Sequence, residues 1–297
     1  MSTSSEPTPS RADITYPQPN KKDNTLDEQK LHRTCPLDVG RHQLKPEYDL
    51  GGLDKLPYEL IADILAQLDL RSLFDFRRVS QRAMQAVDGM PDFKQIAKHH
   101  LTIVRALLAV EAGTHLSCVN VLEALKSPNC IHCGDFAGYI YALNCSRVCF
   151  LCFTERQEYL PLTALWVYRM FGVDLSHLSS TPRLKCLPGR YSQSDKPGPR
   201  RLVLYDAQSA KQMGLALHGS QAAMTKFAID AAWQESKQYK PRFDRWRKTA
   251  SAPKPRRPRG EEKEYDGKAS NRRRFMGVAI QSRAFIAQGV DESIEIV

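Results

Sequence analysis

The chain has 297 residues, with 42% hydrophobic and 26% charged side chains, enough for one substantial domain and a smaller module of ordinary globular composition. No stretch reaches the roughly 18 consecutive apolar residues that a spanning helix needs, and the opening MSTSSEPTPSRAD lacks the basic-then-apolar order of a secretory signal. The expected setting is therefore intracellular, cytoplasmic or nuclear, with no membrane. The net charge of +10 is unevenly spread, because Lys240, Arg242, Arg245, Arg247, Lys248, Lys254, Arg256, Arg257 and Arg259 face only Asp244.

Residues 1–50 mix Ser, Thr, Pro, Asn, Lys and Asp without an apolar period, which predicts a disordered arm. From Leu56 the apolar residues Leu60, Ile61, Ile64, Leu65 and Leu68 recur at helical spacing, with Pro57 suited to the first turn. Leu73, Phe74 and Phe76 predict a second short helix capped by Asp69 or Ser72. Ser80 caps a third, carrying Met84 and Val87, which should end in a left-handed Gly89 before Pro91. Residues 94–111 and 115–126 also read as helices.

Between Asn129 and Phe153 the helical period vanishes, and Gly134, Gly138 and the run Tyr139, Ile140, Tyr141 predict turns and a short hairpin. Helix is expected again after Cys149 and over 159–171. Prolines 182, 188, 197 and 199 then break the chain into loops around a strand at Leu202–Tyr205. Residues 206–238 read as helix, 241–270 as a basic Pro-rich linker, and 271–297 as a strand-like segment led by Phe275–Ile280. The fold class is mainly α, with a small hairpin.

The segment LPYELIADILAQLDLRSLFDFRRVSQRAMQAV resembles the F-box motif at Leu56, Pro57, Glu59, Leu60, Ile64, Leu65, Leu68, Leu73, Arg78, Val79, Ser80 and Val87. The resemblance implies a three-helix module over 53–98 that docks on a Skp-type linker subunit, itself joined to a cullin scaffold. Leu56, Pro57, Leu60, Ile64, Leu73 and Val79 are the expected docking residues. A module this small buries too little surface to satisfy so many large apolar side chains alone.

Eight cysteines in a reducing setting point to metal ligation more than to disulfides, and five of them lie between Cys130 and Cys152. Cys130 with Cys133 and Cys149 with Cys152 form two C-x2-C pairs separated by fifteen residues, a spacing that suits tetrahedral zinc. Two residues between thiols let one tight turn aim both at one ion, and a hairpin-length spacer folds the second pair back. Either Cys145 or His132 is near enough in sequence to replace one ligand. Four thiolates leave no open position for water, so the zinc would be structural. Cys35, Cys118 and Cys186 read as inert.

An F-box followed by CIHCGDFAGYIYALNCSRVCFLC looks like a group of fungal F-box proteins with a cysteine-rich segment. No catalytic spacing involves His99, His100, His115 or His218, and no phosphate loop is present. The leading expectation is a non-catalytic substrate-recognition adaptor of a Skp–cullin–F-box ubiquitin ligase, its target bound by the zinc-containing 99–240 region. The alternative is a zinc-containing regulator that holds nucleic acid through its basic tail, where Trp233, Tyr239, Phe243 and Trp246 lie among cations. Packing of these aromatics within a C-terminal helix is the simpler expectation.

Overall fold

A computed structural model of the chain describes residues 45–188 and 201–249, together with positions 26, 31, 33, 35, 279–281, 285–286 and 293–294. The rest of the expected arm, the linker beyond residue 249 and positions 275–278 of the expected terminal strand lie outside the described residues.

Six helices open the fold: α1 (Tyr58–Ala66), α2 (Leu70–Arg77), α3 (Gln81–Gly89), α4 (Pro91–His99), α5 (Leu101–Ala109) and α6 (Cys118–Lys126). Asp69 caps α2 by accepting from the Ser72 N–H at 3.0 Å, and Ser80 caps α3 through Ala83 N–H at 3.1 Å. Arg77 donates two bonds to Asp88, at 2.7 and 3.0 Å, and so pins α2 to α3. Gly89 is the last residue of α3, but not as the expected left-handed cap. Its backbone is not left-handed, but a Cβ there would meet the Tyr58 hydroxyl at 2.5 Å. That hydroxyl donates to Ala86 O at 3.2 Å, which brings α1 close against α3.

The expected single helix over 94–111 is broken at buried His100, where φ is −128°, so that α4 and α5 each turn an apolar face inward. Leu26, Leu31 and Cys35, inside the arm expected to be disordered, are buried in the same core as the helices. Composition averaged over fifty residues hides three apolar side chains placed to pack.

Strand β1 (Tyr139–Tyr141) pairs antiparallel with β2 (Ser146–Val148), Ile140 opposite Arg147. Helix α7 (Phe150–Glu155) follows at once. The chain later adds α8 (Ala164–Phe171), the antiparallel pair β3 (Arg183–Lys185) and β4 (Val203–Tyr205), and helices α9 (Ala207–His218) and α10 (Gln221–Lys248). Strand β5 (Ala279–Gln281) closes the other edge of β1, in the order β2-β1-β5. Phe285–Ile286 and Ser293–Ile294 form a further short pair.

Two expected helices change their bounds. Helix α8 begins at Ala164 rather than 159, because Pro161 holds the preceding chain extended and Leu162 bridges to Tyr205 through bonds of 3.0 and 2.8 Å. The expected 206–238 helix splits at Gly219, whose φ of +74° suits glycine, and Ser220 caps the next start. Helix α10 then runs past 238 and through Pro241, so 241–248 is helix and not linker.

Most of the buried side chains form one core that runs without a break from Ile61 and Leu65 in α1 to Ile140, Val148 and Phe153 around the hairpin. Arg147, buried in β2, donates to Ala124 O at 2.9 Å and Ala137 O at 3.2 Å, tying the end of α6 to the hairpin. Burial lowers its pKa to about 10, so it remains charged at neutral pH. A second core gathers Leu162, Val167, Phe171, Tyr205, Ala210 and Met224.

Asp206 links the two cores. One carboxylate oxygen caps α9 through Ser209 N–H at 2.8 Å, and the other accepts from the buried Tyr141 hydroxyl at 3.4 Å. Burial and the adjacent Asp206 charge hold the Tyr141 phenol well above its ordinary pKa, as a neutral donor. Asp206→Ala removes a cap and orphans that donor, and is expected to cost about 2 kcal/mol in urea denaturation with the helical circular dichroism unchanged.

Candidate docking face and metal centre

Helix α1 has two apolar stripes. Ile61 and Leu65 point into the core, whereas Leu60 and Ile64, one turn apart, face outward at 49% and 45% exposure. Leu56 at 37% and the exposed Pro57 lead into this outer stripe. Their approach is held by Asp54, whose carboxylate accepts from Leu50 N–H at 2.7 Å and from Arg82 Nε and Nη2, both at 3.1 Å. Val79, at 74%, stands in the turn between α2 and α3.

Leu73 departs from its expected role. It is fully buried, part of the core among Leu70, Phe74 and Val87, so it shapes the module and cannot touch a partner. Period alone assigns a residue to an apolar face, and this short helix has its apolar face turned toward its own chain. Sequence reasoning also missed a groove of about 450 Å³ between α1 and the α3–α4 turn. Tyr58, Ala62, Ala66, Met90 and Pro91 give it apolar walls, and Glu59, Asp63 and Asp92 add carboxylates. Its two sides come from separate helices, which no local pattern reveals.

The four cysteines of the two C-x2-C pairs converge. Their sulfurs all lie within 4.8 Å of one another, and Cys133 Sγ is 3.6 Å from Cys149 Sγ. A tetrahedron with metal–sulfur bonds of about 2.3 Å has edges of about 3.8 Å, so the cluster has the size of a tetrathiolate site. The first pair sits on a tight turn, closed by Gly134 N–H to Cys130 O at 3.0 Å, with Gly134 at φ +79°. The second pair opens α7, where Cys152 N–H points at Cys149 Sγ at 3.3 Å. Hairpin β1–β2 carries one pair to the other.

Burial works against charge on Cys130, but the backbone N–H groups of Cys133, Cys149 and His132 outweigh it and bring the thiol down to about 7. Burial and the neighbouring sulfurs push Cys152 up. Four sulfurs this close cannot all carry charge unless a cation sits among them. The donor set fits a metal ion held by Cys130, Cys133, Cys149 and Cys152.

Neither proposed substitute joins the set. Cys145 is buried in the hairpin turn at φ +59°, where burial raises its thiol to about 12. His132 lies within the first pair, but its Nε2 is 2.5 Å from the Tyr159 hydroxyl and 3.0 Å from Glu158 Oε1. It braces the loop against the segment after α7. Cys118 is buried in α6, with its thiol raised to about 12.

The sequence profile of the F-box domain matches residues 53–95, the segment that holds α1, α2 and α3 and enters α4. The cysteine cluster lies beyond the matched segment. Comparison with curated proteins finds no match, nor does comparison with solved structures.

Native mass spectrometry of the full chain is expected to find one metal ion, retained in Cys145→Ser and lost in Cys133→Ser and Cys149→Ser. Acidification should release the same ion, because protonation removes thiolate ligands as the pH falls.

Proposed function

We propose that this chain is a substrate-recognition adaptor of a Skp–cullin–F-box ubiquitin ligase, docking on the Skp-type subunit through its F-box domain. The observation that carries the reading is the outer stripe of that domain. Leu56, Pro57, Leu60 and Ile64 are apolar and exposed at the start of the matched segment, where a partner would satisfy them. Leu73 and its buried neighbours hold that stripe in shape. Val79 adds an exposed apolar contact at the far end of α2.

F-box proteins are generally non-catalytic adaptors, and this chain's contribution to ubiquitin transfer is positional. Holding a target protein beside the charged ubiquitin carrier lowers the entropic cost of a reaction whose chemistry belongs to other subunits. The target would be met by the region after Cys152, which the docking stripe leaves free.

The metal at the four cysteines is zinc in this reading, because four thiolates at tetrahedral spacing suit its preference and close its coordination sphere. Its work is structural: it joins the loop of Cys130 to the start of α7. The cytoplasm or nucleus would keep these thiols reduced and available. The grouping with fungal F-box proteins rests on the resemblance in residues 130–152.

Leu56→Asp with Ile64→Asp is expected to abolish a stoichiometric complex with the Skp-type subunit in size exclusion, weakening affinity more than 100-fold. Each side chain contributes roughly 1.5–3 kcal/mol when fully covered. Both positions are exposed, so the circular dichroism should stay that of the parent. Leu73→Ala should instead lower stability by about 2–5 kcal/mol. Full binding by the aspartate double variant would end the adaptor reading.

A further inference from the structure

Helix α10 extends for 28 residues, about 42 Å at the usual rise, and its second half contributes to neither core. Met224 is the last of its described residues to be buried, and Trp233 is 56% exposed. The distal aromatics join neither core, in line with the expectation that they pack within a C-terminal helix. Tyr239, Phe243 and Trp246, spaced i, i+4 and i+7, form a ladder along one stripe. Ring centroids are 5.6 Å apart between Tyr239 and Phe243, and 5.5 Å between Phe243 and Trp246. The first two rings are inclined by only 29°.

Charge brackets the ladder. At about 100° per residue, Arg242 lies on one side of the stripe, and Lys240 and Arg247 lie on the other. Arg245 and Lys248 add to the same half-helix, where Asp244 is the lone acid after residue 236. All five cations are exposed. Such a surface repels another copy of itself and attracts a polyanion.

A row of flat rings flanked by cations is what an unpaired nucleic-acid strand requires. Phosphates take the cations, and bases stack on the rings whatever their sequence. An acidic peptide would use the charge but leave the ladder idle. A lipid surface would want a broad apolar face with leucines beside the aromatics, and Tyr239–Lys248 offers three rings on one narrow stripe without a leucine.

From this geometry we infer that the distal half of α10 binds single-stranded nucleic acid without strong sequence preference. The surface is remote in sequence from the F-box stripe and does not depend on the adaptor reading.

The test is fluorescence anisotropy of a labelled 20-nucleotide oligo(U) and oligo(dT) with the full chain, over a series of salt concentrations. Saturable binding that weakens with salt is expected. Tyr239→Ala with Phe243→Ala should reduce affinity at least ten-fold at fixed salt, and Phe243→Tyr in the otherwise unaltered chain should retain it. Arg242→Gln with Arg247→Gln should flatten the salt dependence. The cations at Lys254, Arg256, Arg257 and Arg259 remain in every variant, so purely electrostatic binding would survive loss of the rings and overturn the inference. It is also overturned if neither strand binds, or if polyglutamate or phosphatidylserine vesicles compete as well as unlabelled oligonucleotide. Circular dichroism of each variant shows whether α10 is intact.

Discussion

Tyr139, Ile140 and Tyr141 are all buried, so the strand they form must be covered on both faces and paired on both edges. That demand arranges most of the second half of the chain. Strand β2 takes one edge and β5 the other. Phe150 and Phe153 of α7 pack against Tyr139, while Phe153 and Tyr159 crowd around Tyr141. The Tyr141 hydroxyl reaches onward to Asp206, at the head of α9. The cysteine pairs meet because this covering brings the loop before β1 and the helix after β2 to the same end of the hairpin.

The candidate metal site is therefore positioned by apolar packing around the hairpin. Its sulfurs are gathered by a hairpin whose register is fixed from inside, by Arg147 on the α6 carbonyl and Ile140 in the core. An ion held there would relieve the crowding of charge among four thiols and join the loop of Cys130 to the start of α7.

Much of this was legible in local sequence. The apolar period from Leu56 to Leu68 gives α1, the caps Asp69 and Ser80 are where the chain uses them, and the two C-x2-C pairs name the four clustered cysteines. What escaped were features decided by distant contacts. Leu73 looks like Leu60 in any periodic reading, and only the packing of α2 against its own chain separates the inside residue from the outside one. His100 interrupts a run that has no proline or glycine to mark it. Gly89 looks like a left-handed cap, but its smallness is used by Tyr58 from another helix. Pro241 reads as a stop, yet α10 tolerates the lost hydrogen bond, with the ring ladder running across it.

The continuous core has a consequence for how this molecule can be handled or altered. F-box units are easily pictured as cassettes, cut at the ends of their motif and moved between proteins. Here Ile61, Leu65 and Leu70 belong to the same core as Val121, Leu125 and Tyr141, and the boundary at residue 95 falls inside α4. A fragment ending there would carry bare apolar flesh where the rest of the chain had been. The F-box segment and the cysteine region share one continuous core, so a cut between them exposes both.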